Sequence, residues 1–127
     1  MYEILDNGQI VKVEEVKTLT QTTSIKTHYG KARKITFHSD KTQVAVNESI
    51  TIVIKWEKFD LTQGQYIDEF TNTDDFYLYV AGVQDIVKPV NGQATITFSS
   101  AEPGEYIIKT DNPNVDNTEI KVVVTNA

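Results

Sequence analysis

Strict alternation of apolar and polar residues constrains this chain more than any other feature. Ile50, Ile52, Ile54 and Trp56 interleave with Thr51, Lys55 and Glu57. Ala94, Ile96 and Phe98 interleave with Gln93, Thr95, Thr97 and Ser99, and Ile120, Val122 and Val124 with Glu119, Lys121 and Thr125. Successive side chains of a strand point to opposite faces, so each run has one face to bury and one to wet. Several such runs, split by Gly, Pro, Asn and Asp turns, predict an antiparallel sandwich. The alternation places strands near 34–39, 43–46, 49–58, 76–81, 83–88, 93–99, 105–110 and 118–125, with a shorter one near 65–70.

The first third reads differently. Tyr2 to Leu5 and Gln9 to Val13 are strand-like and flank Asp6-Asn7-Gly8, whose last two residues tolerate the positive φ of a tight hairpin turn. A lone hairpin is marginal in water, so this one needs a partner, its own domain or another chain. Residues 14–32 are rich in threonine (Thr18, Thr20, Thr22, Thr23, Thr27), with Val16, Leu19 and Ile25 thinly spaced. Threonine favours extended chain over helix, and the stretch is expected to be an extended arm or linker. The division expected is a hairpin and arm over 1–32 and a sandwich over 33–127.

With 127 residues the chain suits one domain with an appendage. Its net charge of −6 opposes nucleic-acid binding, which needs clustered Lys and Arg to neutralise phosphates. The densest basic stretch, Lys31 to Lys34, is expected to be a solvated connector. The chain contains no cysteine, so neither a disulfide nor a thiolate metal site holds it together. Apolar runs are too short for a membrane-spanning helix, and Met1 to Gly8 lacks the basic and apolar regions of a secretory signal. The expectation is synthesis in the cytosol without membrane insertion.

The stretch Ile35-Thr36-Phe37-His38-Ser39-Asp40-Lys41-Thr42-Gln43-Val44-Ala45-Val46-Asn47-Glu48-Ser49-Ile50-Thr51-Ile52 resembles the opening of a bacterial immunoglobulin-like domain. That opening is a strand, a turn, a short second strand, a two-residue break and a long strand. Asn91 to Phe98, followed by Glu102-Pro103-Gly104-Glu105-Tyr106, is similar to the turn between the fifth and sixth strands of the same superfamily. The resemblance covers about residues 33–127. It implies an all-β, immunoglobulin-like β-sandwich, and it places Tyr106 where the family has a corner tyrosine bonded to nearby backbone. The chain departs from antibody domains in lacking a cysteine pair and in carrying Trp56 on the second strand.

Chains with such domains include adhesins, cell-surface enzymes and phage virion proteins. Without a secretory signal, the resemblance implies a virion protein released by lysis. The short hairpin and polar arm also resemble small phage tail or baseplate accessory proteins.

Candidate chemistry is sparse. His28 and His38 are expected in different elements, and no serine stands in a nucleophile-elbow context. Asp68-Glu69 and Asp74-Asp75 are sequence neighbours, which on a strand face opposite ways and do not frame a glycosidic bond. Asp111 to Asn117 offers oxygen ligands but lacks the order of an EF-hand loop, and ordinary turn chemistry accounts for it. No cofactor, metal or catalytic residue is assigned. In Phe76-Tyr77-Leu78-Tyr79-Val80, burial of Phe76, Leu78 and Val80 leaves Tyr77 and Tyr79 side by side outside. They are the first candidates for contact with a protein or a cell-wall glycan, followed by Tyr66. The arm can add a strand to a neighbour's sheet edge and so make a homo-oligomer. The functional expectation is a non-enzymatic structural or attachment component of a bacteriophage virion. Its partners would be other virion or structural proteins, with no nucleic acid among them. The alternative is a carbohydrate-binding or adhesin-type module of a longer exported protein.

Overall fold

The computed structural model describes residues 1–126, and no helix occurs among them. Twelve strands form: β1 (Tyr2–Ile4), β2 (Gln9–Lys17), β3 (Thr22–Lys31), β4 (Arg33–His38), β5 (Gln43–Ala45), β6 (Ile50–Asp60), β7 (Gln65–Asp68), β8 (Phe76–Val80), β9 (Val83–Val87), β10 (Gln93–Phe98), β11 (Gly104–Thr110) and β12 (Glu119–Thr125). From β4 onward each lies within two residues of its predicted range. Period-two burial is a tertiary demand that local sequence already records.

Two sheets make the sandwich. One runs β10-β6-β4, with β7 pairing the far end of β6, and the other runs β5-β12-β11-β8-β9. The chain crosses between them after β4, so that short β5 pairs parallel to β12. This strand order is that of an immunoglobulin-type sandwich. Tyr106 closes the expected corner, donating its hydroxyl hydrogen to the Glu102 carbonyl at 2.8 Å.

The core lies between the sheets. Ile50, Ile52 and Ile54 of β6 meet Leu78, Ile108 and Val122 of the opposite layer, all completely or almost completely buried. Trp56 extends the same row, packed edge-on against Phe76 at 5.8 Å and donating its indole N–H to the Asp74 carbonyl. Each such side chain contributes about 1.5–3 kcal/mol when taken from water.

A third sheet, β1-β2-β3, is built from residues 2–31. The Asp6-Asn7-Gly8 turn forms as predicted, with Gly8 at φ 79° and its N–H donating to the Leu5 carbonyl. Residues 14–32 are extended as expected, but they are not a single arm. The chain reverses at Thr18–Gln21, and β3 pairs back along the whole of β2. The connection to the sandwich is one extended run in which Ala32 marks a change of partner, from β2 to β6. The Ala32 N–H donates to Gly8, and its carbonyl accepts from the Phe59 N–H.

Candidate functional site

The ribbon formed by β2 and β3 is firmly founded and otherwise bare. At its foot, Tyr2, Tyr29 and Phe59 form a triangle of edge-to-face rings with centroids 5.0–5.3 Å apart, and Tyr66 meets Phe59 at 5.2 Å. Such pairs each add about 0.5–1.5 kcal/mol beyond their buried area. Ile10, Val11 and Phe59 are buried here, apart from the main core.

Asp116 fastens the foot. Its Oδ2 accepts the Lys31 N–H at 3.0 Å and shares the single proton of the Tyr66 hydroxyl, 2.9 Å away, with the Lys31 carbonyl at 2.7 Å. The Asp116 backbone is tied to β4 through Arg33 and Ile35. Burial, then the Asp116 carboxylate, pushes the Tyr66 hydroxyl well above the ordinary tyrosine range, so it stays a donor. Gly30 stands at the meeting point. A Cβ there would lie 2.7 Å from both the Asp116 carboxylate and the Tyr66 hydroxyl.

Beyond the foot, β3 from Thr22 to His28 is exposed on both faces, and so is β2 from Glu14 to Lys17. Leu19 at the tip is fully exposed, and Val16 and Ile25 are each close to half exposed on the same face. The Thr18 N–H donates to Gln21 across the turn, and the Val13 N–H donates outward to Met1. Antiparallel hydrogen bonding alternates from that turn, so Thr23, Ile25 and Thr27 bond β2. The N–H and C=O groups of Thr22, Ser24, Lys26 and His28 face the open side, where β3 has no strand neighbour.

The outer face of the five-stranded sheet carries the expected tyrosines. Phe76 and Leu78 are buried while Tyr77 is exposed and Tyr79 half-buried. Tyr77 sits opposite Ile86, and Asp75, Phe76, Tyr77 and Ile86 line a shallow depression. The Asn112 side chain holds the Tyr77 backbone on both sides, accepting its N–H at 2.8 Å and donating to its carbonyl at 3.1 Å. Tyr66, expected as a contact residue, is instead an internal clasp. Its hydroxyl is engaged by Lys31 and Asp116, and the Lys34 ammonium lies over its ring.

The remaining polar groups are held by one another. Glu69 and Asp74 converge on Arg33, which stacks over Trp56, and Asp68 pairs with Lys55. Thr36 donates to Glu57 at 3.0 Å and lies 2.8 Å from His38 Nε2 on an open sheet face. The hydroxyl thus stands between the two, whereas a triad places the histidine in the middle. In the 111–117 loop the Asn117 side chain accepts the Asn112 N–H and donates to the Asn112 carbonyl, and Asp116 serves the foot. Among the described residues no group of three or more His, Asp or Glu is placed to hold a metal ion.

Sequence reasoning found the outer tyrosines and missed the foot. Gly30, Phe59 and Asp116 lie far apart in the chain, and only the fold joins them. Compared with protein-family models, curated proteins and solved structures, the chain matches none.

Proposed function

We propose that this protein is a non-enzymatic structural or attachment component of a bacteriophage particle, seated on the tail, baseplate or capsid surface. It is made in the host cytosol and joins neighbouring virion proteins through its ribbon. The observation that carries this reading is the ribbon itself. A two-stranded ribbon exposed on both faces buries little and is marginal by itself. Its foot is nevertheless fixed by four aromatic rings and a shared carboxylate, an anchorage suited to transmitting load from a partner to the sandwich. The carboxylates and histidines with catalytic chemistry are engaged in ion pairs or spread over open sheet faces.

Immunogold labelling of particles released by cells carrying the gene tests the reading. Label on tails, baseplates or capsids is the expected outcome. Label confined to the cell envelope, with none on particles, would overturn it.

The depression at Tyr77 and Ile86 favours a second reading, a carbohydrate-binding or adhesin-type module. An exposed tyrosine beside an apolar neighbour is a surface on which a sugar ring can stack. Saccharide affinity on a glycan array that is lost in Tyr77→Ala would establish it.

A further inference from the structure

The free edge of β3 is complementary to itself. Between the tip turn and the irregularity beside Tyr29, Thr22 to His28 run in unbroken register along β2. This segment lacks two of the usual protections of a sheet edge, proline and a bulge, and carries a single charge, Lys26. We propose that a second copy of this chain pairs with it, antiparallel, about a two-fold axis through Ile25. The proposal deepens the reading of the ribbon as an assembly element by naming its partner.

A two-fold contact sets each residue against its mirror position. Use of the whole free segment puts Ile25 opposite Ile25 of the second copy, Ser24 opposite Lys26, Thr23 opposite Thr27 and Thr22 opposite His28. The one full charge, Lys26, then meets a serine, and on its own ribbon it already pairs with Glu3 at 3.3 Å. Moving the axis to Lys26 would set two ammonium groups face to face, which is destabilising, and moving it to Ser24 would shorten the ladder. Hydrogen-bond parity agrees. Ile25 bonds β2, so the central pair is non-hydrogen-bonded, with Cα atoms about 4.5 Å apart. The outward groups of Ser24 and Lys26 form the flanking hydrogen-bonded pairs.

Charge favours the same face. Lys12, Lys17, Lys26 and Lys31 balance Glu3, Asp6, Glu14 and Glu15, so residues 1–32 are neutral. The whole net charge of −6 therefore lies on the sandwich. Two copies meeting edge to edge at β3 bring neutral ends together and hold the acidic sandwiches apart. The product is a six-stranded sheet, with Val16, Thr23 and Ile25 of both copies on one face.

The full chain tests this directly, because it has no cysteine and one introduced thiol reports alone. Wild type is expected to sediment at twice the 14.3-kDa chain mass in concentrated solution. Ile25→Cys is expected to form a disulfide-linked pair rapidly on mild oxidation, and Leu19→Cys, exposed at the tip, only slowly. Lys26→Pro removes an outward N–H and leaves the β2 ladder intact. It should keep the wild-type circular dichroism and raise the dimer dissociation constant on the order of tenfold or more. Ser24→Lys, which sets an ammonium against Lys26 of the second copy, provides the same reading through an exposed side chain. A wild type that stays monomeric, an Ile25→Cys no faster than Leu19→Cys, or dimers of both edge variants as tight as wild type would each overturn the proposal. A monomer found on particles would sink the two-fold and spare the virion reading, whereas a dimer absent from particles would do the reverse.

Discussion

At the residue scale the molecule turns on Gly30. A methyl group there would intrude between the Asp116 carboxylate and the Tyr66 hydroxyl, each 2.7 Å from its position. Gly30→Ala is therefore expected to cost about 1–3 kcal/mol, read as a lowered denaturant midpoint, because one of the two groups must move. Tyr66→Phe leaves the Lys31 carbonyl without this donor and is expected to cost about 1–2 kcal/mol. Tyr66→Phe also changes the pH dependence of stability. Burial and the Asp116 hydrogen bond raise the Tyr66 pKa above its unfolded value, so the folded state holds the proton more tightly. Its contribution is complete below the ordinary tyrosine pKa of about 10 and declines as pH rises beyond it. Urea titrations from pH 8 to 11 should show a steep alkaline loss in wild type and a shallower one in Tyr66→Phe. Equal slopes would contradict the assigned clasp.

At the element scale, strands and ribbon obey different rules. β6 is legible because Ile50, Ile52, Ile54 and Trp56 must all reach one core, and burial writes a period of two into the sequence. The outward setting of Tyr77 follows from the same rule applied to β8. β3 was legible only as extended chain. Thr22 to His28 reach no core, so no alternation marks a partner strand, and Thr18-Leu19-Thr20-Gln21 lacks the glycine or asparagine that announces a hairpin. Tyr66 misled for a related reason. An aromatic on a short strand reads as surface until the fold brings Asp116 and Lys31 to its hydroxyl. Because the ribbon's outer half supports no core, excising Glu15 to Ser24 and closing the hydrogen-bonded pair Glu14 and Ile25 with Asn-Gly should change the stability of the monomer by less than about 1 kcal/mol. A thermal melt with a greatly lowered midpoint at concentrations where the wild-type chain is monomeric would show that the outer ribbon packs on something within its own chain.

At the scale of the whole molecule, a two-layer core carries the stability and an anchored ribbon carries the projection. Ile52→Ala, at a completely buried position in the central strand, is expected to cost about 2–5 kcal/mol by urea unfolding. No substitution confined to Thr22–His28 should approach that. Residue-resolved amide exchange across a concentration series tests this division most directly. The expected result is slowest exchange at Ile52, Ile54 and Val122 at every concentration. Thr23, Ile25 and Thr27 should be protected even in dilute solution, while Ser24, Lys26 and His28 become protected only as concentration rises. Exchange of all six ribbon amides at unfolded rates, unchanged by concentration, would contradict it.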